Sequence, residues 1–173
     1  MSRLTPPVSE ADHRSGPDDA VTLVEYGDFE CPSCGAAYPY VERVRKKMGS
    51  RLRFVFRHFP LTQMHPHAMH AAEAAEAAGA QGKFWQMHGM LFEHQDALED
   101  ADLVRYAKAL HLDDKRFASE LASEAHGERI REHIGSGIRS GVNGTPTFFI
   151  NGVRYDGSWE ASDLLAALEA AAA

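Results

Sequence analysis

From His65 to about Gly141 the chain carries nothing that reads as a strand. HAMHAAEAAEAAGA, KFWQMHGMLFEHQ, DADLVRYAKALHL and DDKRFASELASEAHGERIREHIGSGIRSG are rich in Ala, Leu and Glu, with apolar residues at helical spacing. Breaks fall at Gly79–Gly82, around Asp96–Asp100 and at Leu112–Asp114, which predicts four helices, with Asp100 and Asp113 as N-caps. Segments of the opposite kind flank this block. VTLVEY (21–26) is a short β-branched run closed by Gly27 and Asp28, and RLRFVFRHF (51–59) alternates Leu52, Phe54 and Phe56 against Arg and Val. After the block, TPTFFING (145–152) reads as a strand, Asn151-Gly152 suits a two-residue hairpin turn, and VRYDG returns antiparallel. A helix between the first two strands, ended by Gly49-Ser50, and another from about Ala161 to Ala171 complete the order β-α-β, four helices, β-β-α. That is an α/β domain split by an all-helical insertion at about 62–141.

A chain of 173 residues is long enough for one such core. With 44% hydrophobic and 25% charged residues, disorder is not its default. The formal charge is −7, and the most basic stretch, RVRKKMGSRLR (43–53), is interleaved with Val, Met and Leu. It reads as a solvated helix end and strand start, so nucleic acid is not an expected partner. MSRLTPPVSEADHRSGPDDA has no apolar run of secretory length and no later segment approaches a membrane span, so no membrane partner is expected either. Its Pro, Ser, Asp and Gly content predicts a loose tail over residues 1–19, ahead of a domain at 20–173. The expected location is cytoplasmic, the alternative being export with a leader removed before residue 1.

The chain has two cysteines, both in FECPSCGAAYP (29–39). Pro32 suits the first turn of a helix, where its missing N–H costs nothing, and Pro39 further along should kink that helix. Cys31 then stands at the helix N-terminus and Cys34 one turn inside, on the same face, with Cα atoms about 5–6 Å apart, within the range a disulfide tolerates. Unpaired N–H groups and the helix dipole favour the thiolate of Cys31, making it the candidate nucleophile and Cys34 the resolving thiol. Strand, loop, C-x-x-C and helix in that order is the context a redox motif requires.

Two rival readings stay open at this level. A C-x-x-C pair also serves zinc, and His65, His67 and His70 are available donors. Against this, 30 residues separate Cys34 from His65, there is no second C-x-x-C, and the histidines read as a helix-start cluster and its solvated face, so no metal site is assigned. The other rival is a non-catalytic sensing or interaction module. Pro146 must open its strand or lie on an edge, and a bare X-Pro bond is usually trans. Glu25 is the sole carboxylate in an apolar strand, on the face of Val21 and Leu23; if buried, its pKa should rise and it could exchange a proton with Cys34. Phe84, Trp85, Met87, Met90, Leu91 and Phe92 read as the inward side of an insert helix, with a peptide groove as the alternative.

Taken together, strand–CPSC–helix, the helical insert and GTPTFFING resemble the DsbA family of thiol–disulfide oxidoreductases over about residues 20 to 170. VEYGDFECPSC, FRHFPL and SGVNGTPTFFING are especially similar to bacterial DsbA-type domains found free or appended to sodium/proton antiporters. The resemblance implies a thioredoxin-like fold, Cys31 as attacking thiolate, Cys34 as resolving partner and Glu25 as the buried acid six residues before the first cysteine. It further implies substrate contacts at Pro32, Ser33, Thr145 and Pro146, with a cis bond at Thr145–Pro146. Protein or peptide thiols and a redox recycling partner are the implied partners, and no cofactor beyond the Cys31–Cys34 disulfide is implied. Ser33 departs from the pattern, since the best-known oxidising members carry His there; without that cation the couple should be less oxidising.

Overall fold

The alternating and β-branched runs pair side by side. In the computed structural model, which describes residues 2–160 and 162–172, five strands form one sheet: β1 (His13–Ser15), β2 (Val21–Gly27), β3 (Leu52–His58), β4 (Thr147–Ile150) and β5 (Val153–Tyr155). Their spatial order is β1-β3-β2-β4-β5, with β2 and β3 parallel and the other pairs antiparallel. Parallel neighbours need a crossover, and α1 (Pro32–Met48), which runs through Pro39, supplies it. Asn151 and Gly152 both have positive φ, 48° and 82°, as the tight turn between β4 and β5 demands.

The period-two alternation sends β2 side chains to opposite faces of this sheet. Val21 and Leu23, with Leu52, Phe54, Phe56 and Phe148, pack with Ala37, Val41, Val44 and Met48 of α1 in the larger core cluster. Val24 and Tyr26, with Val55 and Phe149, form a smaller one with Leu4, Phe59 and Val142. All seven residues of β2 are therefore buried, which is what a near-continuous apolar run foreshadows. Between β3 and β4 come α2 (Ala68–Gly79), α3 (Phe84–Glu93), α4 (Asp100–Ala109), α5 (Asp114–Ser123) and α6 (Gly127–Arg139), and α7 (Asp163–Ala172) closes the chain. Phe84, Met87, Leu91 and Phe92 are buried, with Trp85 and Met90 packed against the same cluster, so the aromatic and methionine stripe is core.

The insert holds five helices rather than four. Glu124 adopts the left-handed conformation, φ 51°, and its N–H and that of Ala125 bond back to Leu121 and Glu120, ending α5. The break is fixed by tertiary bonds that composition hides: the His126 N–H donates to Glu73 of α2 at 3.1 Å, and the His126 ring bonds Glu120 at 2.6 Å. Asp113 caps α5 by accepting from the Arg116 N–H at 3.1 Å. At α4 the N-cap is Glu99, in a reciprocal box with Asp102, and Asp100 is the first helical residue instead. Ala161, the expected start of the last helix, lies outside the described residues.

The expectation of a loose N-terminal tail is corrected by the structure. Ser2 and Leu4 pair with the β5 edge, Arg154 N–H to Ser2 at 2.9 Å and Leu4 N–H to Gly152 at 2.8 Å. The segment then crosses one face of the sheet and pairs as β1 at the far edge. Its anchor is a buried ion pair that an alternating pattern would have placed in solvent. The Arg57 guanidinium donates to both carboxylate oxygens of Asp12 at 2.8 and 3.0 Å, to the Tyr26 hydroxyl at 2.9 Å and to the Pro6 carbonyl at 3.0 Å. Burial works against both charges, but the Arg57 hydrogen bonds hold the Asp12 carboxyl below its ordinary value. Removing one member strands the other: Asp12→Ala is expected to cost about 3–5 kcal/mol in urea unfolding, and Asp12→Ala combined with Arg57→Met much less. Equal losses in the single and double variants would contradict the anchoring role.

Candidate functional site

At its C-terminal end β2 gives way to the loop Asp28–Glu30, after which Pro32 starts α1 and Cys31 occupies the N-cap position, φ −70° and ψ 123°. No side-chain oxygen caps this helix and no acid sits in its first turn, while Arg45, Lys46 and Lys47 complement the far end of its dipole. The Cys31 sulfur stands where a Ser or Asp oxygen would normally accept from the first-turn N–H groups. Cys31 is 6% exposed and Cys34 is fully buried; the two sulfurs are unbonded. Pro32 and Ser33 lie exposed between them.

The two thiols differ sharply in acidity. Cys31 is lowered from 9.0 to about 5, first because the Cys34 thiol hydrogen-bonds its ionised sulfur. Burial opposes this, and the Thr145 side chain and the N–H groups of Cys34 and Ser33 add to the stabilisation. At neutral pH such a sulfur is about 99% ionised. Cys34 is pushed the other way, by burial first, then by its hydrogen bond to Cys31 and the nearby charge of Glu25. Glu25 itself is 3% exposed and is raised to about 8 by burial, with Glu42 adding and Arg45 opposing. A buried carboxyl that holds its proton at pH 7 thus lies behind a thiol that also holds its own.

Opposite the cysteines, the loop before β4 completes the site. The Thr145–Pro146 peptide bond is cis, and the Cys31 thiol lies 3.6 Å from the Thr145 carbonyl oxygen, which accepts its hydrogen bond. Thr145 Oγ1 is buried with no hydrogen-bond partner among the described residues, and the Thr145 side chain is among the groups that lower the Cys31 pKa. All seven sequence-predicted positions are accounted for. Cys31, Cys34 and Thr145 come together, Glu25 is buried near enough for its charge to act on Cys34, Pro146 adjoins Thr145, and Pro32 and Ser33 form the outer rim.

Sequence reasoning missed how the insert holds this loop. Asp28 is buried; its carboxylate accepts from the N–H of Glu30 at 2.8 Å, the N–H of Leu61 at 2.9 Å and the His65 ring at 2.8 Å. Glu30 accepts from the backbone and ring of His67, both at 2.7 Å. His65 is raised despite burial, by its bond to Asp28 and by the neighbouring charges of Asp28, Cys31 and Glu30. The alternation of acids at 28 and 30 with histidines at 65 and 67 was the available signal. His70 bonds Asp100 at 2.7 Å. The three histidines a zinc reading would recruit are thus engaged with carboxylates, and among the described residues no group of three or more His, Cys, Asp or Glu is arranged to hold a metal ion.

Comparison with known proteins decides the family. A family model described as thioredoxin matches residues 9–170. The chain belongs to the thioredoxin family. The match begins at residue 9, inside the N-terminal segment that crosses the sheet. BdbD from Bacillus subtilis superposes with a TM-score of 0.87 at 22% identity, covering 99% of this chain and 97% of that one. A thioredoxin-like oxidoreductase from Silicibacter pomeroyi is 26% identical with a TM-score of 0.82, covering 94% and 93%. DsbA-type structures share the same five-stranded α/β architecture. Among curated relatives, Na(+)/H(+) antiporter NhaA 3 of Salinispora tropica is 48% identical over 169 residues, 97% of this chain and 26% of that protein. The chain thus spans about a quarter of the length of the curated relatives it matches. Among the described residues, no helix is long and apolar enough to cross a membrane.

Two measurements follow from this thioredoxin-family site. In the reduced protein, the ultraviolet absorbance of thiolate should titrate with a midpoint near 5 for one sulfur only, and Cys31→Ser should abolish that step. The second concerns Glu25, whose folded value lies above its ordinary 4.5, so folding favours the protonated carboxyl. That contribution is complete below about 4.5 and is lost as pH rises through about 8. Glu25→Gln should therefore gain stability over the oxidised parent progressively across this window, by on the order of a few kcal/mol at its upper end. A constant difference between the two denaturation curves at all pH values would contradict it.

Proposed function

We propose that this chain is a dithiol–disulfide oxidoreductase acting on protein or peptide thiols through Cys31 and Cys34. One observation carries the reading: two sulfurs one helical turn apart are driven to opposite acidities, the rim sulfur down and the buried one up. A structural pair would have no use for that asymmetry, whereas thiol exchange needs a good leaving group outside and a proton-holding resolving thiol inside. The oxidoreductase class named for the Silicibacter pomeroyi neighbour supports the same reaction class.

In the oxidising direction, a substrate thiolate attacks Cys31 Sγ of the Cys31–Cys34 disulfide. The S–S bond breaks and its electron pair leaves on Cys34, which takes a proton from Glu25. A second substrate thiolate attacks the substrate sulfur of the mixed disulfide, and Cys31 departs as a stabilised thiolate. The substrate gives two electrons to the couple and releases two protons to solvent as its two thiolates form; one is taken up to restore the proton Glu25 passed to Cys34, and the other stays in solvent because Cys31 remains ionised. In the reducing direction each step reverses, with the Cys31 thiolate attacking a substrate disulfide and Cys34 resolving the adduct. The couple itself carries the electrons, and a separate recycling partner must restore it. Pro32, Ser33, Thr145 and Pro146 are the proposed substrate contacts: the first two are exposed beside the nucleophile, and the loop of the others faces it across the Thr145 carbonyl. Extended peptide would pair with that loop through its backbone. Likeness to segments of proteins named as antiporters supports an appended module as one arrangement for such a domain, and the proposed thiol chemistry does not depend on it.

Removing the resolving thiol tests the scheme. Cys34→Ser should accumulate covalent adducts with thiol-bearing proteins that disappear on reduction, while Cys31→Ser accumulates none. Absence of adducts in Cys34→Ser under oxidised glutathione would overturn the mechanism.

A further inference from the structure

Gln95 lies just beyond α3, in the turn leading to α4, 64 residues from Cys31 in sequence. Nothing about an isolated Gln in FEHQDALED singles it out. In the fold its carboxamide reaches into the first turn of α1. Nε2 donates to the carbonyl oxygen of Phe29 at 2.9 Å and to that of Cys31 at 2.8 Å. The Cys31 carbonyl also accepts the Gly35 N–H at 3.1 Å, so it is held from the helix side and the insert side at once. The oxygen end of the carboxamide lies against Gly35, where a Cβ would stand 1.9 Å from Oε1. Any side chain at 35 would expel the carboxamide.

These contacts have an electrostatic and a geometric consequence. The carbonyl oxygen of Cys31 is a negative pole on the same residue as the reactive sulfur, and an N–H donor aimed at it lowers the local negative potential. Pinning Phe29 and Cys31 together also fixes the turn from which the Ser33 and Cys34 N–H groups point at the sulfur. We propose that Gln95 is a positioning residue of the Cys31–Cys34 couple, holding the active-site turn in the shape that favours the thiolate and thereby setting how oxidising the couple is. The proposal rests on the thiol-exchange reading. It assigns to the insert a direct hold on redox poise, over and above the clamps that Asp28 and Glu30 make with His65 and His67.

The direction follows from the reduced form alone carrying a thiolate. Whatever favours that thiolate favours the reduced state and makes the disulfide the stronger oxidant. Gln95→Met keeps the volume and loses both donors; Gln95→Glu puts a carboxylate against two carbonyl oxygens. The other groups around the two sulfurs are untouched in both variants: Glu25 from β2, Asp28 from the following loop, Cys34 from α1, His65 from the insert and Thr145 from the loop before β4. Gln95→Met should raise the Cys31 thiolate midpoint by about half to one pH unit. It should also shift the exchange constant with glutathione about three- to tenfold toward the disulfide, equivalent to about 15–30 mV for a two-electron couple. Gln95→Glu should move both quantities further in the same direction. Gly35→Ala, which drives the carboxamide out from the opposite side, should reproduce the Gln95→Met shifts with Gln95 intact, and serves if a Gln95 variant does not fold.

The decisive comparison is between redox forms. The melting temperature should fall more in the reduced form than in the oxidised form of Gln95→Met. Equal losses in both forms, with an unmoved thiolate midpoint and an unmoved glutathione constant, would reduce Gln95 to a structural clamp and overturn the proposal. A parent protein inert toward glutathione would instead overturn the thiol-exchange reading on which it stands.

Discussion

A sulfur occupying the N-cap of α1 is the constraint around which the site is organised. Helix N-termini need an acceptor for their first N–H groups, and among the described residues the Cys31 sulfur stands at that position with no oxygen cap and no first-turn acid to compete. The helix is better satisfied when the sulfur is charged, so local secondary structure and reactivity pull the same way. Everything placed around that turn extends this bias. The Cys34 and Thr145 side chains both lower the Cys31 pKa, and the parallel β2–β3 pair puts the whole turn at the end of a rigid, fully buried strand. Such a rim is where an open α/β sheet presents its chemistry.

The insert is more than a cover for the sheet. It returns to the loop before α1 at three points, through His65 on Asp28, His67 on Glu30 and Gln95 on the backbone of Phe29 and Cys31. Two are charge-bearing bonds to acids flanking the loop, and the third is a neutral amide on carbonyl oxygens. The absence of a cation between the two cysteines is therefore not the whole electrostatic account. His65, raised by Asp28 and by the Cys31 charge itself, brings a titratable positive group to the same loop from a different part of the chain.

What could be read without coordinates followed physical locality. Strands β2 to β5, the helix after the cysteines, the Asn151-Gly152 turn and the Asp113 cap all declare themselves within a few residues, because period, turn chemistry and capping are local. The cysteine pair was legible for the same reason: its spacing, its proline and its position after a strand are contiguous. Apart from the one-residue shift of the α4 cap from Asp100 to Glu99, the misses were non-local. β1 is three residues long and has meaning only as a partner of β3. Arg57 looked like the polar side of an alternating strand, and only the arrival of Asp12 makes its burial tolerable. The α5–α6 break is set by bonds from His126 to residues of other turns, and Gln95 has no local mark at all. Glu25 fell between these classes: an acid in an apolar strand is visible, but its burial depends on what packs above it.

The path of residues 2 to 15 bears on how the protein is made. Ser2 and Leu4 hydrogen-bond to the hairpin near residue 153, while β1 pairs with residues near 55 on the other edge. The contacts of Ser2 and Leu4 wait for residues 152 to 154 and are among the most long-range closures in the fold, whereas β1 can pair once residues near 55 are in place. Segments about 140 residues apart, around Leu4 and around Val142 and Phe149, thus complete the smaller core together.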